Sequence, residues 1–196
     1  MAQCATHWIS FERPAMLLQS RFAHNYTVMP FRPVNLAPQP GTEPPITPVA
    51  SGGLWLQSMP GRLESWPSFL DEARAAQLTV VVCLNPLAEV AALSPGYHKA
   101  IAEGRLPFRW LHVPMRDFGL GADPVAFRVG VEQVAHSLVL GQQVLLHCAA
   151  GLGRTGTVAA CVLKQLGLPA ALALQRVRDA GSNPQSALQS GWIDQF

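Results

Sequence analysis

The stretch at 78–84, LTVVVCL, carries no charge and is polar only at Thr79. A strand with one wet face alternates apolar and polar residues, whereas a nearly unbroken apolar, β-branched run fits a strand buried on both faces. Such strands occur in largely parallel sheets covered by helices, so this segment by itself points to an α/β architecture.

The sequence from Gly53 onward supplies the alternation that this architecture needs. Residues 54–57 and 108–113 are strand-like, the second run ending at Pro114, and QVLLH at 143–147 is another short apolar strand. A helix is predicted over 66–76, with Pro67 in its first turn, and another in part of 87–103, interrupted at Ser94-Pro95-Gly96. Asp123 and Pro124 supply an N-cap and a first-turn proline for a helix to about Leu140, with Val131, Val134 and Leu138 on one face. Further helices are predicted at 154–166, 169–179 and 186–196. The expected fold class is α/β, a central, mostly parallel sheet with helices on both faces.

Residues 1–50 have a different character. Pro30, Pro33, Pro38, Pro40, Pro44, Pro45 and Pro48 crowd a stretch with little apolar periodicity. Proline fixes φ and removes a backbone donor, so this part reads as an extended N-terminal arm, with residues 51–196 as the folded domain. At 49% hydrophobic residues the chain has ample material for a core. A formal net charge of +2 is too small to make nucleic acid or a membrane surface the expected partner, so anion selectivity must come from a local site.

Cys4, Cys83, Cys148 and Cys161 are widely spaced and form no CxxC pair, which indicates neither a disulfide framework nor a zinc site. His7, His24, His98, His112 and His136 show no metal-ligand spacing, and no metal or other cofactor is expected. No signal-peptide pattern is visible, since His7, Glu12 and Arg13 break the early sequence. No uninterrupted apolar run reaches about 18 residues. The expected compartment is the reducing cytoplasm, where a free thiolate survives.

The segment 144–157, VLLHCAAGLGRTGT, carries the chemistry. A buried strand ends at Cys148; small residues follow, with Leu152 among them, and Arg154 opens a helix. Gly151, Gly153 and Gly156 permit tight backbone geometry, so that successive N–H groups from Ala149 to Gly153 can point at one anion. The helix presents its positive end to the same spot, and Arg154 offers a planar fork for two phosphoryl oxygens. Cys148 lies at the bottom of this field, which favours thiolate over thiol and suits in-line attack on phosphorus. A buried cysteine before a Gly-rich turn is common in α/β proteins; the arginine and the adjacent hydroxyl of Thr155 separate this one from the ordinary case.

His147-Cys148, five residues, then Arg154-Thr155 resembles the His-Cys-x5-Arg-Ser/Thr loop of the protein tyrosine and dual-specificity phosphatases. The resemblance extends over about 54–196. Met59-Pro60-Gly61-Arg62, Cys83-Leu84 with Glu89, Asp117-Phe118-Gly119 and Ala159-Ala160-Cys161-Val162-Leu163 are most similar to the kinase-associated group acting on cyclin-dependent kinases. It implies a cysteine phosphatase fold at 51–196 and a phosphocysteine intermediate on Cys148. It further implies phosphate binding by 149–154, and by Arg154 in particular. Thr155 is implied to stabilise the departing thiolate, His147 to orient the loop, and Gln189 to resemble a glutamine that places the hydrolytic water. The implied partner is a phosphorylated protein or peptide carrying phosphotyrosine, with phosphoserine and phosphothreonine as further substrates.

The implied leaving group needs a proton, and the family uses an aspartate on an upstream loop. Asp117, after a strand and close to Gly119, is preferred to Asp123, whose capping role is sufficient for it. Arg116 either tunes this acid or meets substrate, or is simply a solvated charge. Cys83 ends a central strand and either approaches Cys148 as a redox partner, as in some relatives, or is a small core residue; Cys161 reads as core. Ala149, Ala150 and Leu152 place no basic side chain in the loop, unlike the phosphoinositide phosphatases. The alternatives are a catalytically silent phosphoprotein-binding module, distinguished by binding without turnover, and rhodanese-like sulfur transfer, distinguished by a thiosulfate assay.

Overall fold

The structure, a computed structural model, describes residues 31–37, 50–119, 121 and 123–196. Most of the predicted arm, including Pro30 and the prolines from 38 to 48, lies outside the described residues, as do Cys4, His7 and His24. The described part of that arm is not a separate feature, because Arg32–Val34 forms a strand, β1.

Among the described residues the sheet has five strands in the order β1-β2-β5-β3-β4, where β2 is Gly53–Gln57, β3 is Val80–Cys83, β4 is Arg109–His112 and β5 is Gln143–His147. β2, β5, β3 and β4 run parallel, and β1 is antiparallel to β2 at the edge, with Arg32 opposite Leu56 and Val34 opposite Leu54. Pro33 is exposed and sits where a strand proline is tolerated, on an edge. Three residues are too short a run for any periodicity to reveal, so the sequence shows the prolines and hides the strand.

Alternation along the central strands divides the core into two layers. Val80, Val82, Val144, Leu146, Leu54 and Leu56 face α4 (Pro124–Val139), α5 (Gly153–Gln165), α6 (Ala170–Asp179) and α7 (Ala187–Gln195). Val81 and Leu145 face the other way, against Phe69 and Ala73 of α1 (Trp66–Ala75). Cys83 joins Met59, Val90 of α2 (Leu87–Leu93) and Tyr97 of α3 (Pro95–Ala102) on that second side. Val80, Val81 and Val82 are each 0% exposed, and burial stabilises each by about 1.5–3 kcal/mol.

Two local signals set the helix starts. The Ser65 side chain accepts from the Ser68 N–H at the head of α1, and Asp123 Oδ1 accepts from the Val125 and Ala126 N–H groups at 2.8 and 3.2 Å at the head of α4. The break between α2 and α3 falls at Ser94, before Pro95. Register then brings Gln57, His147 and Cys83 level at the C-terminal ends of their strands, the end at which open parallel sheets bind ligands.

Candidate active site

Beyond His147 the chain leaves β5, turns through 148–152 and enters α5 at Gly153. Cys148 is buried, and its Sγ accepts the Gly151 N–H at 3.2 Å. Gly151 has φ +71°, and a Cβ there would lie 2.5 Å from the Gln57 carbonyl group, so the turn needs glycine on both grounds. The other two loop glycines have a different role from the one their spacing suggests. Gly153 and Gly156 lie within α5, and a Cβ on them would strike Gln185 Oε1 at 2.6 Å and the Asn183 backbone at 2.8 Å. They let the chain between α6 and α7 pass over the head of α5.

The loop is fastened from outside. The Ala149 carbonyl accepts from the Met59 N–H at 3.3 Å and from Arg62 Nη1 at 2.6 Å. Ala150 is exposed and Leu152 half-buried.

Arg154 is only 3% exposed, and Glu89 of α2 receives it fork to fork, with Nη1–Oε2 2.7 Å and Nη2–Oε1 2.9 Å. Nη1 also lies 3.4 Å from the Met115 carbonyl. The Arg154 hydrogen bond is the main cause that holds the Glu89 carboxyl below its usual range. Burial by itself would weaken the hold of Arg154 on its proton, but the Glu89 bond and the charges of Cys148, Glu89 and Asp117 outweigh it, and the net direction is upward. Glu89 is the residue that sequence reasoning passed over: it figured only as part of a resemblance, and nothing local marks a helix glutamate as the partner of an arginine 65 positions away.

Asp117 lies on the segment between β4 and α4, 66% exposed, with Oδ1 3.5 Å from Arg154 Nη2. Phe118, next to it, has φ +53° and is 57% exposed, a left-handed conformation of the kind that gathers at functional sites. Asp123, the other candidate acid, is occupied as the cap of α4. Arg116 is exposed. Gln189 is buried; its Oε1 accepts the Gln185 N–H at 2.8 Å and its Nε2 donates to the Gly119 carbonyl at 3.2 Å, joining α7 to the Asp117 segment.

His147 is fully buried beneath the loop, and its Nε2 lies 3.1 Å from Tyr97 Oη, which accepts from Trp110 Nε1 at 2.8 Å. Burial is the main force that pulls the imidazole down to about 3, while the nearby Cys148 backbone works the other way. The ring is therefore neutral near pH 7 and acts as a brace. Thr155 is also fully buried, and its Oγ1 has no hydrogen-bond partner among the described residues, nor do Ser58 Oγ and the Gln57 amide at the end of β2. Unpaired buried polar groups are costly; Thr155 follows Arg154 directly, and the backbone of Gln57 and Ser58 abuts Gly151 of the Cys148 loop.

Cys83 is a core thiol on the face of the sheet that carries Met59 and Tyr97, and burial pushes it up to about 12. Cys161 is buried along α5 and is likewise pushed up to about 12 by burial. Among the described residues no group of His, Cys, Asp and Glu could hold a metal ion.

With this geometry in view the comparisons are decisive for the family. The family model described as a polymorphic toxin system, DSP-PTPase phosphatase matches residues 70–167, half of the 196-residue chain. The chain belongs to this family. The matched span contains Glu89, Asp117, Cys148 and Arg154, and leaves out β1, α6 and α7. No curated protein matches the sequence. Among solved structures, kinase associated phosphatase with its catalytic cysteine changed to serine superposes with TM-score 0.65 at 20% identity, over 79% of this chain and 95% of that one. The active form of Tk-PTP gives TM-score 0.56 at 27% identity, over 72% and 89%. PTPMT1 in complex with PI(5)P gives 0.55 at 22%, over 73% and 88%. The fold is that of the cysteine phosphatases, and phosphoester hydrolysis is the activity that goes with family and fold together.

Proposed function

We propose that this phosphatase hydrolyses phosphotyrosine in proteins or peptides, and phosphoserine and phosphothreonine as further substrates, through a phosphocysteine intermediate on Cys148. The observation that carries this reading is the position of Arg154. Its guanidinium is held by Glu89 through both Nη atoms and lies 3.5 Å from Asp117, and the residue sits in the first turn of α5, directly after the Cys148 loop.

In this reading the phosphoryl oxygens take hydrogen bonds from the loop N–H groups of 149–153 and from Arg154. The Cys148 thiolate donates an electron pair to phosphorus as the ester P–O bond breaks. The leaving oxygen takes a proton from the Asp117 carboxyl, which finishes as carboxylate. Water then attacks the phosphocysteine and gives its proton to Asp117, the P–S bond breaks with its electrons returning to sulfur, and inorganic phosphate leaves. The Thr155 hydroxyl, buried and without another partner among the described residues, supports the thiolate as it departs. His147 stays neutral, and Gln189 places the Asp117 segment through Gly119.

The substrate class rests on two features. Ala149, Ala150 and Leu152 offer no basic side chain for a second phosphate, which favours one phosphoryl group per substrate over a phosphoinositide such as the one bound by PTPMT1. Phe118, exposed beside Asp117, favours an aromatic ester. No helix among the described residues is long and apolar enough to cross a membrane, and thiolate chemistry suits a reducing compartment such as the cytoplasm.

The test is hydrolysis of a phosphotyrosine peptide against a phosphoinositide, with wild type and Cys148→Ser. Vanadate-sensitive release of phosphate from the peptide, lost in Cys148→Ser while peptide binding persists, is the expected result. Binding without turnover in the wild type would point to a silent phosphoprotein-binding module.

A further inference from the structure

Arg32 belongs to β1, outside the span matched by the family model, yet its guanidinium ends at the Cys148 loop. Nη2 donates to the Gly151 carbonyl at 2.6 Å and reaches Ser182 Oγ at 3.3 Å, while Nη1 donates to the Gly181 carbonyl. Ser182 Oγ donates to the same Gly151 carbonyl at 2.6 Å. One loop carbonyl is thus held by two donors from two distant parts of the chain, one of them charged.

That carbonyl fixes the direction of the next amide. The Gly151–Leu152 peptide is trans, so its N–H points opposite to its C=O. With the carbonyl held towards Arg32 and Ser182, the Leu152 N–H is turned away from them; the N–H before it, that of Gly151, meets Cys148 Sγ at 3.2 Å. Rotating this peptide would break both bonds, and bonds from a charged donor are about twice as strong as neutral ones.

We propose that Arg32 is a positioning residue for the phosphate: it locks the Gly151–Leu152 peptide so that its N–H faces the bound phosphoryl group, and it sets a fixed positive charge behind the loop. Charge attraction between Arg32 and Cys148 accords with this, although burial is the larger influence on Arg32 and lowers its pKa.

The clamp is itself braced. Arg176 of α6 donates from Nη1 to the Asn35 carbonyl at 2.9 Å and from Nη2 to the Ala37 carbonyl at 2.7 Å, and Val34 is buried in the main core. The arm is held by α6, and Arg32 in turn holds the turn after α6 and the loop before α5. A segment that sequence assigns to an arm therefore forms part of the anion site.

This rests on the phosphatase reading for the identity of the anion, so the readout is tungstate affinity of the full chain, which needs no turnover. Arg32→Gln is compared with Val131→Ala, a core truncation in α4 that removes no donor to the loop, at matched loss of unfolding temperature. Arg32→Gln is expected to bind tungstate about tenfold more weakly, the equivalent of about 1.4 kcal/mol, with Val131→Ala unchanged. Equal affinities in the two variants would overturn the proposal. If Arg32→Gln does not fold, Ser182→Ala removes the second donor to the same carbonyl. A roughly threefold weaker affinity is then expected for loss of one neutral hydrogen bond, and unchanged affinity overturns the proposal. A wild type that binds tungstate but does not turn over an aryl phosphate would fail the hydrolysis reading alone; one that binds no tungstate would fail both.

Discussion

Glu89 and Arg154 are joined by two parallel hydrogen bonds, 2.7 and 2.9 Å, between a helix on one side of the sheet and the first turn of a helix on the other. The pair fixes the plane of a guanidinium that long-chain flexibility would otherwise leave free.

Glu89→Gln keeps the shape of the side chain and removes its charge. Arg154, almost wholly buried, would then keep only the more distant Asp117, at 3.5 Å, as a charged side-chain partner, a loss of about 2 kcal/mol in the bound state or about thirtyfold in kcat/KM. The inhibition constant for vanadate should rise in parallel, because both measure how well Arg154 is aimed. An unchanged vanadate constant would show that Glu89 has no part in placing the guanidinium.

Acid should unfold the protein through His147. Its folded value of about 3 lies below the usual 6.5, so between these values the unfolded state binds more protons and stability rises with pH. Stability is therefore complete above about pH 6.5 and falls by up to about 1.4 kcal/mol per pH unit as pH drops towards 3. Glu89, held below its usual 4.5, acts in the same direction: its contribution is present above that value and lost as pH falls through the lowered one. Urea unfolding from pH 7 to 4 measures the slope, which His147→Gln should flatten across pH 5–6.5.

Asp117 and Asp123 should separate cleanly. Asp117→Asn is expected to slow hydrolysis of esters with poor leaving groups by roughly a hundredfold and to affect activated aryl esters much less. Asp123→Ala should cost about 1 kcal/mol of stability through the lost cap of α4 and leave turnover in place. Steady-state rates on both ester types, with unfolding temperatures, decide this; the opposite pattern would make Asp123 the acid.

Gly151→Ala should impair the loop more than a methyl group suggests. At φ +71° a side chain costs about 1–2 kcal/mol, and the new Cβ would meet the Gln57 carbonyl group at 2.5 Å and the Ser58 nitrogen at 2.7 Å. Calorimetry should give a lower unfolding temperature, and tungstate binding should be weakened with it. Wild-type values for both would mean that the turn does not need glycine.

Much of the fold was legible because its signals are local. The β-branched run at 78–84, Pro67 in a first turn, the cap at Asp123 and the break at Ser94-Pro95 each report on a few neighbouring residues, and the structure places elements at all of them. β1 was not legible, since three residues around a proline have no period and are held by partners far along the chain.

The Cys148 loop shows the same division. Sequence alone determined that a cysteine, a glycine-rich turn and an arginine lie between a strand and a helix, because strand, turn and helix propensities act over short spans and the motif is contiguous. Only the tertiary structure decided what holds it: Glu89 on Arg154, Tyr97 against His147, Gln189 under the Asp117 segment, and Arg32 and Ser182 on one carbonyl. These are hydrogen bonds between residues brought together by the parallel register of β2, β5 and β3 and the crossings of the helices. Their spacing in the chain carries no trace of them, because a hydrogen bond depends on distance and direction in space.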